Sequence, residues 1–365
     1  MKVLIVNPIM YTNETDNLKK VRTLKDTLMY NVCLGFLANG VEPTLIASAD
    51  FKPIIDETYP FNILFFKTRF RKICYPRIIP FLSGLNKYLK EHKNYYDLVI
   101  CSESFSLATL TACKVFKQKS IIWQEMAKHQ RKFFKIPSKI WHNIIVRFFL
   151  KKNLVVARSE QAKIFISRYS KNVSKFVVEH GMNIDNFPCR INETKKQFIV
   201  VSQLIERKRI NLILETFSDF CKKYSDYKLF VCGDGVLRQE LQSLCVKLNI
   251  EKNVFFLGHC NHEQLSLLYC ESMALLIYTK QDNNMVSIIE SICSGTPVIT
   301  TSVPYNSSYV EKYKLGIVND NWGVPDLERI VNQNYEYKRN CFLFRENLSA
   351  KKSASKLIEI YKNEL

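Results

Sequence analysis

Short apolar runs ending in turn residues alternate along the chain with longer stretches of helical spacing. KVLIVNP at 2–8 is the first such run, and its β-branched content before Asn7-Pro8 predicts a buried parallel strand. A helical stretch around 23–39 follows, closed by Asn39-Gly40, and PTLIAS at 43–48 predicts the next strand. DLVICSE at 97–103 and KSIIWQE at 119–125 repeat the pattern around an Ala/Leu-rich helix. NLVVARS at 153–159 and KFVVEHG at 175–181 close this half. The pattern then restarts. QFIVVSQ at 197–203 predicts a strand, RINLILETFSDFCKKY at 209–224 an amphipathic helix, and KLFVCGDG at 228–235 a strand entering a glycine turn. After a helix at 236–248 come strands at 253–258 and 274–279, a helix at 286–294 capped by Gly295, and a strand at 297–302. RENLSAKKSASKLIEIYKNE at 345–364 reads as one amphipathic helix. This alternation predicts an α/β protein of two Rossmann-like, doubly wound parallel-sheet halves joined near 182–196. Ligands of such folds sit at the carboxyl ends of the strands, here in a cleft between the halves.

Composition narrows the class. The chain has 365 residues, 47% hydrophobic and 24% charged, with no run of 18 apolar residues, which excludes disordered, collagen-like and coiled-coil chains. Its formal charge is +19, carried unevenly: residues 1–190 hold 31 Lys+Arg and 14 Asp+Glu, residues 191–365 hold 22 and 20. The first half therefore expects an anionic partner (a membrane surface, nucleic acid or an acidic substrate) unless the lysines only solvate its surface. Twelve cysteines are scattered without a C-x-x-C pair, and the apolar run after Lys2 is too short for a secretory leader. Both predict reduced, cytosolic thiols. GHCNHE at 258–263 gathers His259, Cys260 and His262, but no second ligand cluster completes a zinc site, so it reads as a loop after a strand.

Two stretches carry candidate chemistry. QDNNMVSIIESICSGTPVIT at 281–300 places Asp282 before a helix whose first amides suit a phosphate, and Glu290 about one turn inside, where a carboxylate can accept from the hydroxyls of a ribose. The plainer alternative makes Asp282 and Asn283 caps and Glu290 a solvated helix residue. VVSQLIERKRINLILETF at 200–217 places Arg207, Lys208 and Arg209 between a strand and a helix, where they would neutralise a diphosphate. Cations at a helix start cost a few tenths of a kcal/mol unless an anion offsets them.

The order and spacing of these segments over 197–305, from the Lys-bearing loop through KLFVCGDG and NVFFLGH to ESICSGTPVIT, resembles glycosyltransferase family 4 of GT-B fold. GMNIDNF at 181–187 is similar to that family's interdomain signature. The resemblance implies retaining transfer of a hexosyl or N-acetylhexosaminyl group from a nucleotide-diphosphate donor. It divides the chain into an acceptor-binding domain at 1–185, a nucleotide-sugar-binding domain at 186–344, and a helix at 345–365 crossing back to the first. It implies that Lys208 and Asp282 are catalytic. Lys208 would hold the diphosphate, with Arg207 and Arg209 substituting for a family arginine that is Gln203 here. Glu290 would hold the ribose, while Asp282 and the amides near Asn284, Met285 and Val286 would hold the sugar and phosphate. Glu125 and His129 are the acceptor-side candidates, near a position where the family often has a histidine and this chain has Gln124. The first strand's loop, NPIMYTNETDNLKK, lacks the family's glycines. No D-x-D occurs, so neither a metal nor another cofactor is expected, and cations take the metal's part.

Residues 67–93 hold eight Lys/Arg against Glu91, and 128–152 hold eight and no acid, both interleaved with aromatic and aliphatic residues. With the sugar-transfer signature, they predict peripheral attachment to the anionic inner face of the cell membrane and a lipid-linked glycan acceptor, with no nucleic acid. The competing functions are a sugar-nucleotide epimerase of the same fold and a non-catalytic basic protein that binds nucleic acid through stacked aromatics.

Overall fold

The computed structural model describes residues 1–10, 21–75, 78–130, 132–187, 194–282 and 284–364. Residues 11–20 of the glycine-free loop, Arg77, Arg131 and Asn283 lie outside the described residues. The chain forms two units, Met1–Gly181 with Ala350–Leu365, and Met182–Ser349.

The first unit is built on a seven-stranded sheet. Its order is Asn62–Phe66, Glu42–Ser48, Lys2–Val6, Leu98–Ser102, Ser120–Gln124, Leu154–Ala157, Val173–Val177, and every pair is parallel. Val3, Leu4, Ile5 and Val6 have no exposed surface, because helices cover both faces of a parallel sheet and a central strand must be apolar throughout. On one face Val3, Ile5, Phe36 and Trp123 pack with Leu357 and Ile360. On the other, Leu4 and Val6 pack with Leu89, Phe116 and Val146. The edge strand Asn62–Phe66 is only half-buried and escapes the apolar-run pattern.

The terminal helix Ala350–Glu364 belongs to this unit and lies against the helix Leu28–Leu37. Gly35 makes that approach possible, since a Cβ there would stand 2.2 Å from the Ala350 carbonyl oxygen. The single helix read over 345–364 is two elements. Arg345–Leu348 is a separate 3₁₀ turn counted with the second unit, and Ser349 is extended (φ −72°, ψ 146°) before the helix begins.

The second unit carries a six-stranded parallel sheet in the order Val254–Gly258, Lys228–Cys232, Gln197–Val201, Leu275–Leu276, Val298–Thr300, Gly316–Val318. Numbered along this unit, that order is 3-2-1-4-5-6, the Rossmann arrangement. Ile210, Ile213, Leu214, Phe217 and Phe220 of the helix Ile210–Cys221 form its apolar stripe and are buried against the sheet. In both units the order reverses between the first and fourth strands, so loops leaving those strands diverge and open a crevice at their carboxyl ends.

Candidate active site

The second unit's crevice is formed where the loops after Val201 and Leu276 meet. The first of them is fixed by glycine. At Gly233 (φ +133°) a Cβ would fall 1.8 Å from the Ser202 carbonyl oxygen, and at Gly235 2.3 Å from that of Leu204. Only glycine lets the two backbones approach so closely, and hydrogen bonds from the Leu204 amide to the Asp234 carbonyl (3.0 Å) and from the Leu237 amide to the Leu204 carbonyl (3.1 Å) lock them together.

Beyond this brace, Glu206–Lys208 makes one 3₁₀ turn, and Arg209 takes the left-handed region (φ 49°, ψ 44°) before the helix. The turn aims Arg207 and Lys208 at the neighbouring loop. Lys208 Nζ donates to Asp282 Oδ2 at 2.7 Å, and Arg207 Nη1 donates to Asp282 Oδ1 at 3.1 Å and to the Gln281 carbonyl at 2.8 Å. Thr279 Oγ1 donates to Asp282 Oδ2 at 2.7 Å, and the Lys280 amide donates to the Arg207 carbonyl at 2.8 Å. Lys208 is buried. The anion that a cationic helix start calls for is thus supplied in part by Asp282, a role the sequence reading gave wholly to a ligand. Two cations on one carboxylate leave a net charge of +1 in a largely desolvated corner, where attraction for a further anion is little screened.

The helix Val286–Cys293 starts one residue after Met285, its N-cap residue, so Asp282 stands before the cap and is not itself the cap. Of the three amides expected to face a donor, that of Met285 is committed internally: it donates to Asn306 Oδ1 at 2.7 Å, and Asn306 Nδ2 returns a bond to the Met285 carbonyl at 3.1 Å. Glu290 is buried, which overturns the solvated-helix alternative. Tyr269 Oη donates to its Oε2 at 3.2 Å. Burial pushes the Glu290 carboxyl up to about 7, with the Tyr269 bond opposing. Gln203, at the family arginine's position, is exposed.

The first unit presents a different group. Strands at 98–102, 120–124, 154–157 and 173–177 are successive neighbours, and Glu103, Glu125, Arg158 and His180 follow their carboxyl ends. Buried Arg158 donates from Nη1 to Glu125 Oε2 at 2.8 Å and to His180 Nε2 at 2.7 Å, and from Nη2 to Ser102 Oγ at 3.1 Å. Its guanidinium lies 4.1 Å over the Trp123 ring. Burial and the Arg158 charge push the His180 imidazole down to about 3. Glu103 (φ +65°) accepts from the Glu125 amide at 2.7 Å and the Met126 amide at 3.2 Å, and burial pushes its carboxyl up to about 7.

Glu125 therefore sits in a constructed array, and His129 does not join it. The His129 ring nitrogens are engaged by Ser138 Oγ (3.1 Å) and Tyr169 Oη (2.9 Å), with His142 and Phe165 packed around the ring. That corrects its reading as an acceptor-side candidate, because both polar atoms serve the packing beneath residues 136–149. Glu103, Arg158 and His180 went unread. The sequence carries a signal for Glu103, Glu125 and Arg158, each of which directly follows a buried apolar strand, but little for His180, which lies three residues past the half-exposed strand Val173–Val177. GHCNHE is a strand end and a helix start, where Asn261 and Gln264 form a capping box.

A family model described as glycosyl transferases group 1 matches residues 183–347. The poly(ribitol-phosphate) alpha-N-acetylglucosaminyltransferase of Staphylococcus aureus is 26% identical over 219 residues, 58% of this chain and 44% of that protein. An alpha-monoglucosyldiacylglycerol synthase of Streptococcus pneumoniae is 22% identical over 319 residues, 81% of this chain and 70% of that one. The chain thus spans less than half of the first relative's length. The crystal structure of Anabaena Alr3699/HepE in complex with UDP superposes with a TM-score of 0.68 at 13% identity, covering 99% of this chain and 100% of that one. Residues 183–347 thus match the glycosyl transferases group 1 family, and the chain has the GT-B fold, two Rossmann-like parallel-sheet α/β units.

Proposed function

We propose that this chain is a retaining glycosyltransferase. It moves a hexosyl or N-acetylhexosaminyl group from a nucleoside-diphosphate sugar to a hydroxyl of a lipid-linked or other cell-surface glycan, without a metal. The observation that carries the reading is the pairing of Arg207 and Lys208 on Asp282 at the second unit's switch point, in the same unit as buried Glu290. In transfer the bond from the anomeric carbon to the diphosphate breaks, and a bond to the acceptor oxygen forms. The acceptor's proton leaves with the diphosphate. Charge grows on the departing oxygen, and cations already fixed by hydrogen bonds stabilise it without reorganising. Arg209 adds positive charge beside them, Glu290 takes the ribose hydroxyls, and Asp282 with the amides near Asn284 and Val286 holds the sugar and phosphate.

The enzyme works on the inner face of the cell membrane. The support is an apolar stripe on the first unit: Phe134 is 91% exposed, and Ile136, Ile140, Ile144, Phe148 and Phe149 are also exposed, while Ser138, His142 and Val146 face inward. Lys135, Lys139, Arg147, Lys151 and Lys152 flank it, and Phe70 and Ile73 are exposed in the other basic stretch. Apolar side chains that enter the lipid boundary among cations suit an anionic leaflet. No helix of the described residues is long and apolar enough to cross a membrane. The relatives' names favour transfer over the epimerase and nucleic-acid alternatives.

The test is incubation of the purified chain with radiolabelled UDP- and GDP-sugars and a bacterial lipid extract. Labelled glycolipid with an α-linked sugar is expected. A chain that consumes no donor and labels no product contradicts the proposal.

A further inference from the structure

The polar edge of the first unit is assembled with more care than packing requires. Arg158 is buried, yet it bonds three partners from three other strand ends: Ser102, Glu125 and His180. Trp123 supports its guanidinium face, and Trp123 Nε1 in turn donates to the Val178 carbonyl at 2.8 Å. Arginine can only donate, so His180 must accept at Nε2, and its proton resides on Nδ1. Glu103 clamps the loop from the other side through the amides of Glu125 and Met126. Glu125 is thus held by its backbone amide on one side and by its carboxylate on the other, and its side chain stays 62% exposed while that of Arg158 behind it is 5% exposed. Ser102 and Arg158 are buried and Glu103 and His180 are only partly exposed, so the Glu125 carboxylate is the part of the array most open to a partner.

We propose that Glu125 binds and orients the hydroxyl of an uncharged sugar acceptor, and that Arg158 is the positioning residue that presents it. This rests on the transferase reading above. The chemistry selects the class of acceptor. An ionised carboxylate accepts from hydroxyl groups, whereas a phosphate approaching the same edge meets the carboxylate first and finds the arginine covered and committed. The terminal sugar at this edge is therefore neutral. Glu125 holds the hydroxyl without retaining its proton, which departs with the diphosphate.

The experiment compares the wild-type chain with Glu125→Gln, Arg158→Met and Arg158→Lys. Donor affinity is read by titration with UDP-glucose and UDP-N-acetylglucosamine. Transfer is measured to octyl β-D-glucoside, octyl β-D-galactoside and glucosyl-dioleoylglycerol, against ribitol 5-phosphate. Glu125→Gln alters an exposed side chain, so it tests the idea even where Arg158→Met fails to fold. The expected result is a drop of about thirtyfold or more in transfer kcat/KM for the neutral acceptors with Glu125→Gln, and donor affinity within twofold of wild type. Arg158→Met falls as far, and Arg158→Lys recovers part of the loss. Transfer by Glu125→Gln within threefold of wild type overturns the inference. So does a preference for ribitol 5-phosphate, or intact donor binding with none of the neutral acceptors used. A wild-type chain that binds no nucleotide sugar contradicts the transferase reading itself, and this inference falls with it.

Discussion

The two sheets share a topology but stiffen their carboxyl edges by different means. In the second unit the loop after the first strand is held by backbone against backbone at Gly233 and Gly235, and its cations then need a single carboxylate, Asp282, to be aimed. In the first unit side chains hold the edge: Glu103 grips two amides and Arg158 bridges three strand ends. The charges run opposite to the totals. Residues 1–190 carry nearly all of the excess positive charge, yet their polar edge shows a carboxylate, and the nearly balanced second half has the cationic crevice. Net charge therefore reports on what a unit's outer surface meets, and says little about the ligand at its strand ends.

The largest effect that sharpens this contrast belongs to the glycine brace. Gly233→Ala puts a methyl group 1.8 Å from a backbone oxygen at a φ of +133°, so both space and conformation oppose it. The second unit should lose at least about 3 kcal/mol, read as an earlier urea midpoint for its unfolding. An unchanged midpoint would mean that the loop relaxes freely and the brace is not one.

Next comes Glu290. Its folded carboxyl titrates at about 7 against an ordinary 4.5, so between those values the folded chain binds more protons than the unfolded one. The stability linked to Glu290 is fully present below pH 4.5 and is lost as the pH rises through 7, a loss on the order of 3 kcal/mol at most. Glu290→Gln removes that dependence. Urea unfolding at pH 5 and pH 8 should show the variant gaining on the wild type at the higher pH, and a constant difference would contradict the burial argument.

The smallest effect concerns the outer surface. Phe134→Ser with Phe148→Ser removes two exposed rings that make no part of the core and should lower partition onto phosphatidylglycerol vesicles about tenfold, with the melting temperature unchanged. Equal flotation of both proteins would assign binding to the lysines alone.

Most of the sheet architecture was legible because parallel strands buried on both faces leave long apolar runs, as at KVLIV and QFIVV. Asn62–Phe66 and Gly316–Val318 are edge strands, half-buried or three residues long, and leave no such mark. The candidate residues Arg207, Lys208, Asp282 and Glu290 stand out in the sequence, since they cluster within two short stretches. Their mutual pairing does not, because Lys208 and Asp282 are 74 positions apart and only the switch point brings them together. The Arg158 array was hidden for a related reason. Each of its members looks like an ordinary strand terminus, and the meaning appears only once four strands lie side by side.

The most direct measurement is calorimetric titration of the wild-type chain and of Lys208→Met with a panel of UDP- and GDP-sugars. One nucleotide sugar should bind the wild-type protein, and its affinity should fall tenfold or more in the variant, the usual loss when a buried charge-assisted bond to a diphosphate is removed. Equal affinity in the two proteins, or no binding by any nucleotide sugar, would contradict a donor site at the second unit's carboxyl edge.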